Sequence, residues 1–181
     1  KPGHVVIDVK AFGLNQAEVY FRKGAWGDVA EISGIECAGV VRADPDGRFA
    51  PGQTVVAVVG GLGRNLNGSY AERVRVPASN VAAVSTDLSW EALAAIPESY
   101  ATAWSAVCGI LNVVAGETLL VRGATSALGQ AAVNIAAERG ARIIATTRNA
   151  RRAAQLEALG AGEVMVETEE LAARIRERHP D

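Results

Sequence analysis

The segment from Glu117 to Asn149 constrains the fold of this chain more than any other. Thr118-Leu119-Leu120-Val121 reads as a buried strand within Glu117–Arg122, and a turn of mostly small residues follows, Gly123-Ala124-Thr125-Ser126-Ala127-Leu128-Gly129. Gln130–Arg139 is an Ala-rich helix closed by Gly140, because a glycine just past a helix accepts the left-handed conformation that ends it. Arg142–Thr147 is a second strand. The alternation repeats with a helix over Arg151–Leu159 stopped by Gly160, a strand over Glu163–Val166 and a helix over Leu171–Arg178. Alternation at this pitch predicts βαβ units around a parallel sheet, an α/β fold.

A turn that leaves a strand and opens a helix is an anion site. The first N–H groups of the helix lack partners and its dipole favours negative charge there. Laid over G-x-G-x-x-G, the stretch Ala124–Gly129 keeps only the last glycine, with Ala124 and Ser126 at the first two places. Strand, turn, helix and second strand nevertheless fall where a dinucleotide unit requires them. The sequence therefore predicts a dinucleotide held by Gly123, Ala124, Thr125, Ser126, Ala127, Leu128 and Gly129, with a plain tight turn as the alternative. An acid at the end of the second strand would accept a ribose 2′-OH. Here that strand ends Thr146-Thr147-Arg148-Asn149, with Arg151 and Arg152 next. A hydroxyl and guanidinium groups suit a phosphate dianion, so Thr147, Arg148 and Arg151 predict NADPH. The alternative for Arg151 and Arg152 is the start of a solvated helix.

Up to about residue 85 the texture differs. Val5, Ile7 and Val9 alternate with polar residues, Gln53–Val59 is β-branched after the turn Pro51-Gly52, and Ala71–Val76 alternates again. Asp44-Pro45-Asp46-Gly47 is a turn in which proline presets φ and glycine accepts a positive one. Short strands at this spacing predict a small barrel or sandwich. A helix over Trp90–Ile96 stops at Pro97, and another runs through Tyr100–Leu111. Domains are thus expected over 1–97 and 98–181.

Composition closes off other classes. An apolar share of 49% with a net charge of −2 excludes disorder, and two cysteines cannot make a disulfide framework. Near-balanced charge argues against a nucleic-acid surface. Runs such as Val55–Val59 fall far short of the roughly 20 residues that span a bilayer. The start Lys1-Pro2-Gly3-His4 lacks the basic stretch and apolar run of a signal peptide. A cytoplasmic protein with a small-molecule partner, and with neither nucleic acid nor membrane, is the expectation.

The order of parts resembles the medium-chain dehydrogenase/reductase superfamily, above all its zinc-independent quinone oxidoreductase branch. The residues that carry the likeness are Val9–Asn15, Gly34–Val41, Pro51–Val55, Gly68–Glu72, Thr102-Ala103-Trp104, Gly123–Gly129 and Leu159-Gly160-Ala161. The resemblance implies a β-rich GroES-like catalytic domain followed by the first half of a Rossmann doubly wound sheet. Zinc-dependent relatives carry Cys where this chain has Asn15 and His where it has Ile35. The Gly60–Gly68 region has no cysteines for a structural zinc lobe, and His4 and His179 stand at opposite ends. Cys37 and Cys108 read as small buried residues. No metal is expected.

The family then implies hydride transfer from NADPH to a quinone or an α,β-unsaturated carbonyl. Asn15 and Thr102 are placed by the resemblance at the nicotinamide end. The alternatives are a loop Asn bonding its own backbone and a helix Thr bonding a preceding carbonyl. Related enoyl reductases carry a Tyr where this chain has Trp26, which either walls a substrate pocket or packs in a loop. Tyr20 and Tyr70 are candidate phenolic donors or rim tyrosines; Tyr20 joins Trp26 as a substrate candidate, and no general acid is named. A non-catalytic NADPH-binding protein and an enoyl reductase remain the alternative functions. A short-chain dehydrogenase does not fit, since its Tyr-x-x-x-Lys needs a lysine beyond positions 1, 10 and 23. Members of the family run to roughly twice this length, as a sheet of two mononucleotide-binding halves demands. A chain cut at both ends is therefore expected, not competent alone, and a homo-oligomer, a dimer, in its full-length form.

Overall fold

The computed structural model describes residues 1–180, which fall into two compact units, one over Lys1–Glu98 and the other from Ser99 onward. The first is built on five antiparallel strands: β1 (His4–Ala11), β2 (Glu36–Ala43), β3 (Thr54–Val58), β4 (Arg73–Pro77) and β5 (Val81–Ala83). Their spatial order is β4-β1-β2-β3-β5, and every pairing is antiparallel. Alternate residues point to one face, so Val5 and Ile7, Val55 and Ala57, and Val74 and Val76 meet Cys37 and Val41 in a single core. On the other face Ala38 packs against Leu93 and Ala94 of α2 (Trp90–Ala94). Gly39 is required where β2 crosses β1, because a Cβ there would overlap the Asp8 carbonyl oxygen. Burial, with the charge of Glu36, pushes the Cys37 thiol up to about 12, so it packs as an inert small residue. The sequence reading missed α1 (Gln16–Arg22), a seven-residue helix too short to show a period.

The second unit holds three parallel strands in the order β6 (Thr118–Val121), β7 (Arg142–Thr147) and β8 (Glu163–Val166). Helices α4 (Ala127–Glu138) and α5 (Ala153–Ala158) contribute Val133, Ala136 and Leu156 to a core with Val121, Ile143 and Ala145. Helix α6 (Leu171–Arg178) packs Leu171 and Ile175 on Ile144 and Met165. Ile143 and Ala145 thus face one layer and Ile144 the opposite one, which is why β7 is buried without a break from Ile143 to Thr147. The α/β class is as expected, with a curled antiparallel sheet followed by a Rossmann-type parallel one.

Three expectations need correction. β6 is an edge strand, not a fully buried one: Val121 is 8% exposed, but Leu120 is 39% exposed on the face that α6 leaves to β7 and β8. Helix α3 (Pro97–Trp104) begins on the proline that stops α2, which suits a first helical position that needs no N–H acceptor. The stretch expected to continue as α-helix to Leu111 becomes a π-helical turn over Ser105–Ile110. Among the described residues no helix is long and apolar enough to cross a membrane.

The end of α6 is tied to β8 by Glu163, whose carboxylate accepts from His179 at 2.9 Å and from Arg178. These partners, His179 first, hold its carboxyl below the ordinary carboxylate range. A depressed carboxyl stabilises the folded form above its unfolded pKa and loses that contribution as pH falls through the folded value. The protection of α6 amides, measured relative to their intrinsic exchange rate at each pH, is therefore expected to fall below about pH 4, and Glu163→Gln is expected to flatten that dependence. An unchanged pH profile in the variant would contradict the assignment.

Candidate functional site

The turn after β6 is fixed from several sides. Gly123 adopts φ +60°, and its N–H donates to Thr146 Oγ1 at 3.1 Å, while Ala124 N–H donates to the Thr146 carbonyl at 2.9 Å. Ser126 caps α4, its Oγ accepting from Gly129 N–H at 3.0 Å. Because Ser126 is a strong cap, α4 begins at Ala127, not at Gln130. Ala127, Leu128 and Gly129, expected in the turn, form the first turn of the helix. Their position brings the helix hard against the loop: a Cβ on Gly129 would lie 2.6 Å from Ala124 Cα and 2.7 Å from the Gly123 oxygen. Only glycine permits that approach, and it leaves the helix N-terminus facing the cleft.

Gly123, Thr125, Ser126, Thr147 and Arg148, all named from the sequence, line a cleft of about 490 Å³ at this turn. Arg122, Asn149 and Arg152 complete it. Arg151 does not line it; its N–H donates to Asn149 Oδ1 at 3.0 Å within a 3₁₀ turn over Ala150–Arg152, whereas Arg152 does line it. The Thr147 hydroxyl, offered to a phosphate in the sequence reading, instead accepts from Asn149 N–H at 3.1 Å and donates to Asn149 O at 3.2 Å. It shapes the loop that carries Arg148. Ala124, Ala127, Leu128 and Gly129 are not among the lining residues and act by setting the backbone.

Arg122 and Glu167 were not seen from the sequence. Glu167 accepts from Thr146 Oγ1 at 2.6 Å and from Gly123 N–H at 3.4 Å, and lies 4.0 Å from Arg122. The Thr146 hydroxyl, then the Gly123 N–H and the charges of Arg122 and Arg148, hold its carboxyl below the usual range. Its signal was the parallel register: Thr147 pairs with Val166, so the residue just past β8 falls beside the turn. Gln130 Nε2 also donates to the Thr125 carbonyl at 3.0 Å, and Gln155 Nε2 to Gln130 Oε1 at 2.8 Å, bracing the turn against α5.

In the first unit Asn15 caps α1. Its N–H donates to Glu18 Oε2 at 2.8 Å and its Nδ2 to Glu36 Oε1 at 2.7 Å. Both acids are buried, a feature the sequence did not disclose. Glu18 Oε1 accepts from Ile35 N–H at 3.1 Å, and Glu36 Oε2 from Glu98 N–H at 2.7 Å. Burial pushes the Glu36 carboxyl up, against the lowering effect of the Asn15 amide and the Glu98 N–H. Asn15, Glu18, Phe21 and Tyr70 line a pocket of about 660 Å³. Burial and the charges of Glu18 and Glu36 raise the Tyr70 phenol to about 12, so it stays a neutral phenol and is no acid near neutrality. Trp26 packs edge-on against Phe21 at 5.1 Å, beneath the Arg64 guanidinium at 4.5 Å. Neither Trp26 nor the 44% exposed Tyr20 lines this pocket. Thr102 lies on α3, in the second unit. Among the described residues no group of three His, Cys, Asp or Glu side chains is placed to hold a metal ion.

Residues 1–86 match the alcohol dehydrogenase GroES-like domain. Squalestatin tetraketide synthase of Cochliobolus lunatus is 36% identical over 148 residues, which cover 79% of this chain and 6% of that protein. A quinone oxidoreductase of Pseudomonas syringae pv. Tomato DC3000 is 32% identical with a TM-score of 0.87. A mycobacterial protein solved in complex with NADPH is 30% identical, also with a TM-score of 0.87. Both comparisons cover 99% of this chain, which spans 55% of each solved chain.

Proposed function

Because the chain belongs to the medium-chain dehydrogenase/reductase superfamily, we propose that it grips NADPH for a metal-free oxidoreductase that reduces a conjugated carbonyl compound, a quinone or an enone. The observation that carries this reading is the cleft at the N-terminus of α4. It gathers the guanidinium groups of Arg122, Arg148 and Arg152 where no acid ends β7. The fit is structural as well as electrostatic, since the Gly129 contact lets a pyrophosphate approach the capped helix start. Arg148 and Arg152 would hold the 2′-phosphate, and the N-terminal turn of α4 the pyrophosphate. A groove of about 780 Å³ that shares Arg122 and Arg148 also presents Leu171 and Ile175, suited to the adenine ring.

When bound, the reduced nicotinamide supplies a hydride, with its electron pair, to the electron-poor carbon of the acceptor. The chain's own part is to bind and orient. Asn15 and Ile35 stand where metal chemistry would need a thiolate and an imidazole, which leaves hydrogen bonding to the acceptor oxygen. A second reading, an α,β-unsaturated thioester as acceptor, is favoured by the 36% identity to the tetraketide synthase. NADPH consumption by the full-length protein, measured with benzoquinone and, in parallel, with a crotonyl thioester, separates the two. NADPH is expected to support turnover with at least one of them well above NADH. Equal rates with both nucleotides would overturn the cofactor assignment.

A further inference from the structure

Glu36 is 2% exposed, and among the described residues no cation pairs with it. Its two oxygens serve two donors from distant parts of the first unit, Asn15 Nδ2 and the backbone N–H of Glu98, each at 2.7 Å. The carboxylate reaches Asn15 only because Gly13 has no side chain; a Cβ there would overlap Oε1. Glu98 stands in the first turn of α3, the helix that carries Thr102. A second buried acid, Glu18, holds the backbone N–H of the same Asn15.

A carboxylate can accept at both oxygens, whereas a carboxamide of the same shape offers one acceptor and one donor group. Glutamate is thus the side chain of this size that satisfies both donors at once. It also decides which way the Asn15 carboxamide faces, with nitrogen toward Glu36 and oxygen away. We propose that Glu36 is the positioning residue for Asn15: its carboxylate fixes the Asn15 amide in one orientation and seats the start of α3. This rests on the reading that Asn15 meets the nicotinamide end of NADPH. A buried acid that merely braced α3 would have no need of the Asn15 nitrogen.

Glu36→Gln tests it. The introduced amide keeps its oxygen for Glu98 N–H, turns its nitrogen to Asn15, and forces the Asn15 amide to turn over. Side-chain amide NMR of the chain, with couplings read across the hydrogen bond, follows that orientation without any cofactor. In the native chain Asn15 Nδ2 is expected to couple to the Glu36 carboxyl carbon; in the variant that coupling disappears and Asn15 becomes the acceptor. The affinity for NADPH relative to 2′-phospho-ADP-ribose is expected to fall by about 3- to 10-fold, the worth of one hydrogen bond, with the fragment's own affinity unchanged. Pairing Glu36→Gln with Asn15→Asp restores a donor–acceptor match and is expected to recover the stability that Asn15→Asp alone loses. An Asn15 nitrogen that stays the donor in Glu36→Gln, or an unchanged affinity ratio, overturns the proposal. If the native chain binds neither nucleotide, the NADPH reading fails, while the amide orientation still decides the role of Glu36.

Discussion

Replacing Arg148 with alanine is expected to weaken binding of 2′-phospho-ADP-ribose by roughly 10- to 100-fold while leaving ADP-ribose within about threefold. The asymmetry follows from geometry. Arg148 lies just past the end of β7, on the loop that the Thr147 hydroxyl and Asn149 backbone hold, and its charge faces the cleft lined by Gly123 and Ser126. A charge-assisted, bidentate bond to a phosphate dianion is worth more than a neutral one. The pyrophosphate depends on the N-terminus of α4, which the substitution leaves alone. Because Arg148 is exposed, its contribution should shrink with added salt. A loss of equal size for both ligands would mean that Arg148 supports the fold of the loop and does not select the cofactor.

The second large effect is expected at Gly129. Alanine there puts a methyl group 2.6 Å from Ala124 Cα and 2.7 Å from the Gly123 oxygen. Both neighbours are backbone, and Ala124 is itself pinned to Thr146, so no side chain can swing aside. Overpacking of this kind costs about 1–3 kcal/mol. It also moves the first turn of α4 away from the loop, so a loss of affinity for ADP-ribose should accompany the fall in melting temperature. Gly109 is the control: it has open space around an added Cβ, and alanine there should change stability by less than about 0.5 kcal/mol. Equal melting temperatures for the two variants would contradict the packing account.

The parallel unit was the more legible half of the sequence. Its strands and helices are separated by glycines that stop helices, and its central strand is apolar on both faces, so β7, β8 and α6 fall at the bounds expected. Errors came where a local signal was ambiguous. Ser126 caps a helix that starts three residues before the Ala-rich run, and Leu120 looks as buried as Val121 until α6 is seen to cover only β7 and β8. The turn after β6 was readable because it is contiguous. Arg122 and Glu167 were not, because parallel register brings together residues 45 positions apart, 167 − 122. Glu36 was visible in a motif, but its role depends on Glu98, 62 residues away.

The most direct test is a calorimetric titration of the chain with 2′-phospho-ADP-ribose and, in parallel, with ADP-ribose. On the proposed reading both ligands engage the cleft of the second unit, and neither carries a nicotinamide. Tighter binding of the 2′-phosphate by about tenfold or more, with a gap that narrows as salt is raised, is the predicted result. Equal affinities, or a preference for ADP-ribose, would contradict it.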